Sequence, residues 1–152
     1  RSGMQMLAAS VHIITSADDT GKSGLTATAV CSLSDAPPSL LISVNRSSRT
    51  HDFILRSGKL AVNILSDTQS TLSNHFGASG VDDSQFRTED GWSTAQNGMP
   101  ILQSSAAWFS CSVYQSMTTS THSVFDAHIT EANMQSERTP LIYMNKSYWE
   151  LK

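Results

Sequence analysis

GLTATAVCSLSDAPPSLLISVNRSS occupies residues 24–48 of a 152-residue chain. In its first half Leu25, Ala27, Ala29, Cys31 and Leu33 alternate with Thr26, Thr28, Val30 and Ser32. That period of two predicts a strand over 25–33 with one apolar face and one face mostly of hydroxyls. Pro37 and Pro38 cannot both sit inside a central strand, so they mark its end. Residues 40–44 follow as a buried strand, and the stretch closes on the polar, cationic run Asn45-Arg46-Ser47-Ser48. Two strands edged with hydroxyls could cradle a flat cofactor that bears a phosphate. They could equally form an ordinary hairpin of a β-rich domain.

On the N-terminal side, 11–15 (VHIIT) is β-branched and reads as a strand. Residues 17–22 make a turn, and 4–9 read as the end of a helix. On the C-terminal side, Ser47 or Ser48 can cap a helix running to about Ser57, with Gly58 as its stop. Residues 60–65 (LAVNIL) form a strand interrupted by Asn63. Ser66 and Gln69 have capping-box spacing, which predicts a second helix over about 67–76, ended by Gly77 and Gly80. Residues 80–100 show little periodicity and read as a long loop, a feature more often functional than decorative. Two long strands, 106–113 and 124–129, flank a polar run at 115–123, and 141–151 reads as a closing hairpin around Asn145-Lys146. Strands without regular βα alternation predict a mainly β fold, an antiparallel barrel with appended helices.

The whole chain is read as one domain, 1–152, long enough for a proper core. A net charge of −3 without a basic block argues against nucleic acid as the main partner. No run approaches the roughly 20 apolar residues that a membrane span requires, so no membrane partner is expected. Cys31 and Cys111 lack zinc or CxxC spacing, which points to a reducing, cytoplasmic compartment and no structural metal. Arg1 stands where a Met would begin a chain, so a further segment is expected to precede it.

Neither a hydrolase triad nor a P-loop is present, and the glycine pattern of a Rossmann turn is missing too. Three clusters remain. The first is Thr26, Thr28 and Ser32 with the amides between them. The second, residues 45–50, offers a helix start with hydroxyls and a guanidinium, a natural phosphate site or else a solvated cap. The third is Thr121-His122 at a strand start. Asn74-His75-Phe76-Gly77 closes the other helix, where His75 can also serve simply as a cation against the helix dipole. His12, His51 and His128 are read as structural, and the three tryptophans as core or interface.

Several segments together resemble one family. The 24–45 stretch is similar to the signature of the short-chain flavin reductases, FMN-binding split-barrel proteins that act as reductase components of two-component flavin monooxygenases such as 4-hydroxyphenylacetate 3-monooxygenase. GKLAVNIL (58–65), NHFG (74–77), Gly98-Met99-Pro100, AAWF (106–109), THSVFDAHITEA (121–132) and PLIYMNKSYWEL (140–151) agree in the same order. The resemblance implies a six-stranded antiparallel Greek-key split barrel with two or three short helices, working as a homodimer. It implies FMN or FAD as cofactor, NADH or NADPH as hydride donor, and a monooxygenase component supplied with reduced flavin. Carried over by position, Thr26, Ala27, Thr28, Ala29, Cys31 and Ser32 line the flavin ring and ribityl chain. Asn45, Ser47, Ser48 and Thr50 hold ribityl and phosphate oxygens, with Arg46 or Arg49 nearby. Asn63, His75 and Phe76 are secondary contacts, and His122 faces the nicotinamide. The family's Gly-Asp before that histidine is Ser120-Thr121 here, and its later Gly-Glu is Ala127-His128. A flavin-binding module without turnover, or the same fold around haem, are the alternatives; no strong axial-ligand signal supports haem.

Overall fold

The computed structural model of the protein describes residues 2–78 and 82–152. Strand β1 is Ala9–Ser10, β2 His12–Asp18, β3 Gly21–Ala27, β4 Val30–Asp35 and β5 Pro38–Asn45. Helix α1, Arg49–Ser57, leads into β6, Lys59–Ile64, and helix α2, Ser70–Gly77, follows. The chain then makes β7 (Trp92–Thr94), β8 (Pro100–Leu102), β9 (Ala107–Thr118), β10 (His122–Met134), β11 (Ile142–Met144) and β12 (Ser147–Trp149). Seven strands form the main antiparallel sheet in the order β3-β2-β6-β9-β10-β5-β4, and β1-β11-β12 and β7-β8 form small sheets of their own.

The two outermost strands of that sheet, β3 and β4, are consecutive in sequence and separated only by Thr28 and Ala29. A trans peptide spans 3.8 Å, so Ala27 and Val30 can be no more than about 11 Å apart. The sheet is therefore rolled until its edges nearly meet. This crossing corrects the expected single strand over 25–33, and with it the six-strand count. The Val30 N–H turns back to the Thr28 carbonyl at 2.9 Å, a three-residue γ-type contact. Thr-Ala-Thr-Ala has no bulky residue to keep the strand straight, and the second half joins the opposite edge, where Cys31, Ser32 and Leu33 are exposed.

Inside the roll, Ile14, Ile42, Val44, Leu60, Val62 and Phe125 pack with Ile54 from α1. Outside it, Val11, Ile13, Leu65, Phe76, Phe86 and Trp92 form a second cluster. The adjacent Ile13 and Ile14 face different clusters and are both fully buried, which is why β2 shows no polar alternation. Gly24 lets α2 approach: a Cβ there would stand 3.0 Å from the buried Phe76 ring.

Helix α1 begins and ends as the caps predict. Ser48 Oγ accepts the His51 N–H, and Gly58 closes the helix at φ 69°. Helix α2 starts later than expected, at Ser70, because Ser66 is held in a bridge to Pro140. Half the capping box survives, the Ser66 N–H donating to Gln69 Oε1 at 2.9 Å. The expected stop at Gly80 lies outside the described residues. The polar run 115–123 is mostly strand, since the exposed residues 115–118 continue β9 alongside the first residues of β10, which are themselves held in the sheet by β5. The supposed loop 80–100 contains β7 and two short 3-10 turns, and it buries Phe86, Trp92, Ala95 and Met99. Near the N-terminus a 3-10 turn, Ser2–Met6, replaces the helix end. The closing hairpin is as expected, turning through positive φ at Asn145 and Lys146. Among the described residues no helix is long and apolar enough to cross a membrane.

Candidate functional site

A cleft of about 1170 Å³ opens along β3 and the crossing that follows it. Its floor is 23–29. One wall is the β5–α1 junction, with His122 of β10 beside it. The other is the end of α2, with Tyr143 and Tyr148 of the closing hairpin. The two ends of β3 are docked by different hydroxyls. Ser23 Oγ lies 2.8 Å from Thr50 Oγ1 of α1, and Thr26 Oγ1 donates to the Ser73 carbonyl of α2 at 2.6 Å. Three residues of strand place these ends about 10 Å apart.

The α1 end is built to meet an anion. Asn45 Oδ1 accepts the Ser47 N–H at 2.9 Å and its hydroxyl at 2.8 Å, and the Ser48 hydroxyl donates to the Asn45 carbonyl at 2.8 Å. These turns hold the chain against the start of α1, where the first N–H groups have no partner within the helix. Helix-start amides, hydroxyls and the positive end of the helix dipole together favour a phosphate. Arg49 lines the same end while donating to the Lys22 carbonyl at 2.8 Å and stacking 4.8 Å over Phe53.

At the other functional end, Thr28 and Ala29 belong to neither strand ladder. Their carbonyls accept from Val30 and Ser43, while their N–H groups have no partner in either ladder. Two such amides on a cleft floor can stabilise an oxygen or nitrogen gaining negative charge. His122 pairs with Asn45 across β10 and β5, so the imidazole stands over the anion end. Thr121 Oγ1 engages Nδ1 at 2.8 Å, which leaves Nε2 to meet a ligand.

Of the residues singled out from sequence, the cleft gathers Thr26, Ala27, Thr28, Ala29, Asn45, Ser47, Ser48, Thr50, Phe76 and His122. Five stand outside it. Cys31 and Ser32 lie on the exposed β4 edge, because the chain has already crossed the sheet. Arg46 turns away, its Nη1 donating to the Thr119 carbonyl at 3.1 Å and so bracing the turn that carries His122. Asn63 is fully buried; Nδ2 donates to the Ile13 carbonyl and Oδ1 accepts the Leu102 N–H, at 3.1 and 2.8 Å. It is a core tie between β2 and β8. His75 is exposed on the last turn of α2. Residues that the sequence reading passed over, among them Ser43, Ser73, Tyr143 and Tyr148, also line the cleft. The PLIYMNKSYWEL agreement was the one signal that could have found the tyrosines. Burial pushes the Cys111 thiol up to about 12, so it stays protonated and takes no part.

Residues 4–152 match the family described as Flavin reductase like domain. The chain belongs to that family. Among curated flavin reductases, it is 36% identical over 151 residues to FMN reductase (NADH) RutF of Pseudomonas syringae pv. syringae, covering 99% of this chain and 84% of that one. Identity to the FMN reductase (NADH) RutF of Klebsiella pneumoniae is 33%, over 99% of this chain and 92% of that one. Two solved flavin reductases share the fold. PheA2 in its native state superposes with a TM-score of 0.88 at 28% identity, covering 100% of this chain and 95% of the other. BorF, the flavin reductase component of a bacterial two-component tryptophan halogenase, gives 0.92 at 25% identity, with 99% and 95% covered. The flavin reductase family thus accounts for nearly the whole chain, and the cleft lies within the matched residues.

Proposed function

We propose that the protein is an NAD(P)H:flavin oxidoreductase that reduces FMN, or FAD, by hydride transfer and supplies the reduced flavin to a separate monooxygenase. The observation that carries this reading is one cleft with an anion site at the start of α1 and two unpaired amides at the β3–β4 crossing. The RutF relatives, named for FMN and NADH, favour that cofactor pair.

The residues fit the flavin. Ser47, Ser48 and the first amides of α1 would hold its phosphate, and Thr28 and Ala29 its ring edge. The flavin supplies the hydride acceptor, and the dinucleotide supplies the hydride. The chain's own work is positional. Floor and walls hold two ring systems in contact, which converts a collision into a reaction within one complex. The amides of Thr28 and Ala29 would meet the ring edge of a bound flavin and could stabilise negative charge there. His122 Nε2 orients the dinucleotide at its carboxamide or pyrophosphate; no proton transfer is assigned to it. A diffusible product calls for moderate affinity, and a Kd of about 1 μM is worth only about 8 kcal/mol.

We also place a second copy of the chain against the outer face of β5 and β10. Asp126 Oδ1 is buried there, 3.7 Å from His128 Nε2 but without a hydrogen-bond partner among the described residues, and Met117 nearby is 62% exposed. Residues 1–152 act as one domain, and the free thiols Cys31 and Cys111 suit a reducing, cytoplasmic setting. Following NADH absorbance with protein and FMN in air tests the function. Oxidation that requires added flavin supports it; bound flavin without turnover leaves a binding module and overturns it.

A further inference from the structure

The closing hairpin forms a wall of the cleft while contributing nothing to the core. Leu141, at its root, is buried in the outer cluster, but no residue of β11 or β12 belongs to any apolar cluster. With β1 the hairpin forms a small sheet of its own, in which β12 pairs only with β11, and its turn is tied to the N-terminal 3-10 segment by the Asn145 N–H donating to the Gln5 carbonyl at 2.6 Å. Even so, Tyr148 reaches across to α2. Its hydroxyl lies 2.7 Å from Ser73 Oγ and donates to Asn74 Oδ1 at 2.9 Å. Ser73 is the residue whose carbonyl accepts the Thr26 hydroxyl, so hydrogen bonds run from hairpin to α2 to the cleft floor. Tyr143 stands edge-on to Tyr148, with ring centroids 5.5 Å apart, and both rings face the cleft.

We propose that Tyr148 is a positioning residue: it latches the hairpin onto α2 as a wall, and the latch sets how long flavin stays bound. The inference rests on the flavin reading of the cleft. A reductase that hands its product to another protein needs a wall that closes for hydride transfer and opens for release. Swinging the hairpin about Leu141 would break the Tyr148 hydrogen bonds, the short β1 pairing and the bond from the Asn145 N–H to the Gln5 carbonyl, but would leave every apolar cluster intact. No other wall has that property, since α1 and α2 each bury residues in a cluster.

Tyr148→Phe keeps the ring and removes the hydroxyl. In ligand-free protein, amides of 142–149 should exchange faster than in wild type while those of α1 do not. FMN dissociation, followed by stopped-flow fluorescence, should accelerate by about 5- to 30-fold, the factor for losing one or two hydrogen bonds of ordinary net strength. KM for FMN should rise by a larger factor than kcat changes, and Ser73→Ala should reproduce part of the effect. Faster exchange with unchanged dissociation overturns the proposal, as does faster dissociation with unchanged exchange, because one latch must do both. If wild type binds FMN and Tyr148→Phe releases it at the same rate, only the latch fails. If wild type does not quench FMN fluorescence, the flavin reading fails and the latch with it.

Discussion

His12 and Ala27 are partners in the β2–β3 ladder, and the imidazole adds a second tie, its Nδ1 lying 2.9 Å from the Ala27 carbonyl. On its far side Nε2 lies 2.7 Å from Ser10 Oγ. A neutral ring with its proton on Nδ1 satisfies both contacts, donating to the carbonyl and accepting from the hydroxyl. The last residue of β3 before the crossing is thereby held by a buried histidine.

That burial makes stability depend on pH. Desolvation pushes His12 down from 6.5 to about 4, partly opposed by the bond to Ala27. The unfolded chain takes up this proton near 6.5 and the folded one only near 4. Stability is therefore intact above 6.5 and declines as pH falls through that window, by up to about 3 kcal/mol. Urea midpoints measured from pH 7 to pH 4 should show the decline, and His12→Asn should flatten it. An identical slope in the variant would refute the assignment.

Ser48 serves both the helix and the anion end. Ser48→Ala should cost about 1 kcal/mol in urea unfolding, through loss of the cap, and should weaken FMN binding. Ser48→Asp separates the two roles. The carboxylate restores the cap but repels a phosphate, so stability should recover while FMN affinity, read by fluorescence quenching, falls further.

Removing the His122 ring should weaken the dinucleotide and spare the flavin. For His122→Ala we expect a higher KM for NADH in steady-state assays, with the FMN Kd unchanged. An FMN Kd that rises as much as the KM would move His122 from the dinucleotide to the flavin.

Asn63 gives the opposite signature. Asn63→Leu leaves the Leu102 N–H unpartnered in the core and takes a second donor from the Ile13 carbonyl, at a cost of about 1–3 kcal/mol. FMN affinity per folded molecule should not move. A weaker FMN Kd under fully folding conditions would return Asn63 to the site.

How much of this was legible in the sequence follows from the range of the forces involved. Ser48, Gly58 and the Asn145-Lys146 turn act within a few residues, and each sits where the sequence places it. The crossing at Thr28-Ala29 depends on β4 finding β5 and on β3 finding β2, and period-two alternation runs through it unbroken. The burial of 86–102 was hidden for a similar reason: Phe86 and Trp92 are spaced for contact with Phe76, not for a helix or strand. In the site, the hydroxyl-rich wall and His122 were readable as types. The dismissal of Asn63, and the spending of Arg46 on carbonyls, depend on neighbours far away in the chain.

The seam between β3 and β4 has a further consequence. Along it the two edge strands of the main sheet do not pair with each other, and the cleft lies over it. On the proposed reading, a flavin bonded at Thr28 and Ala29 and again at the start of α1 acts as a removable cross-link over that gap. At a hundredfold excess over Kd such a ligand adds about 2.7 kcal/mol to the folded state. The cargo is therefore also a fastener, and each delivery to the oxygenase unfastens the barrel that carried it.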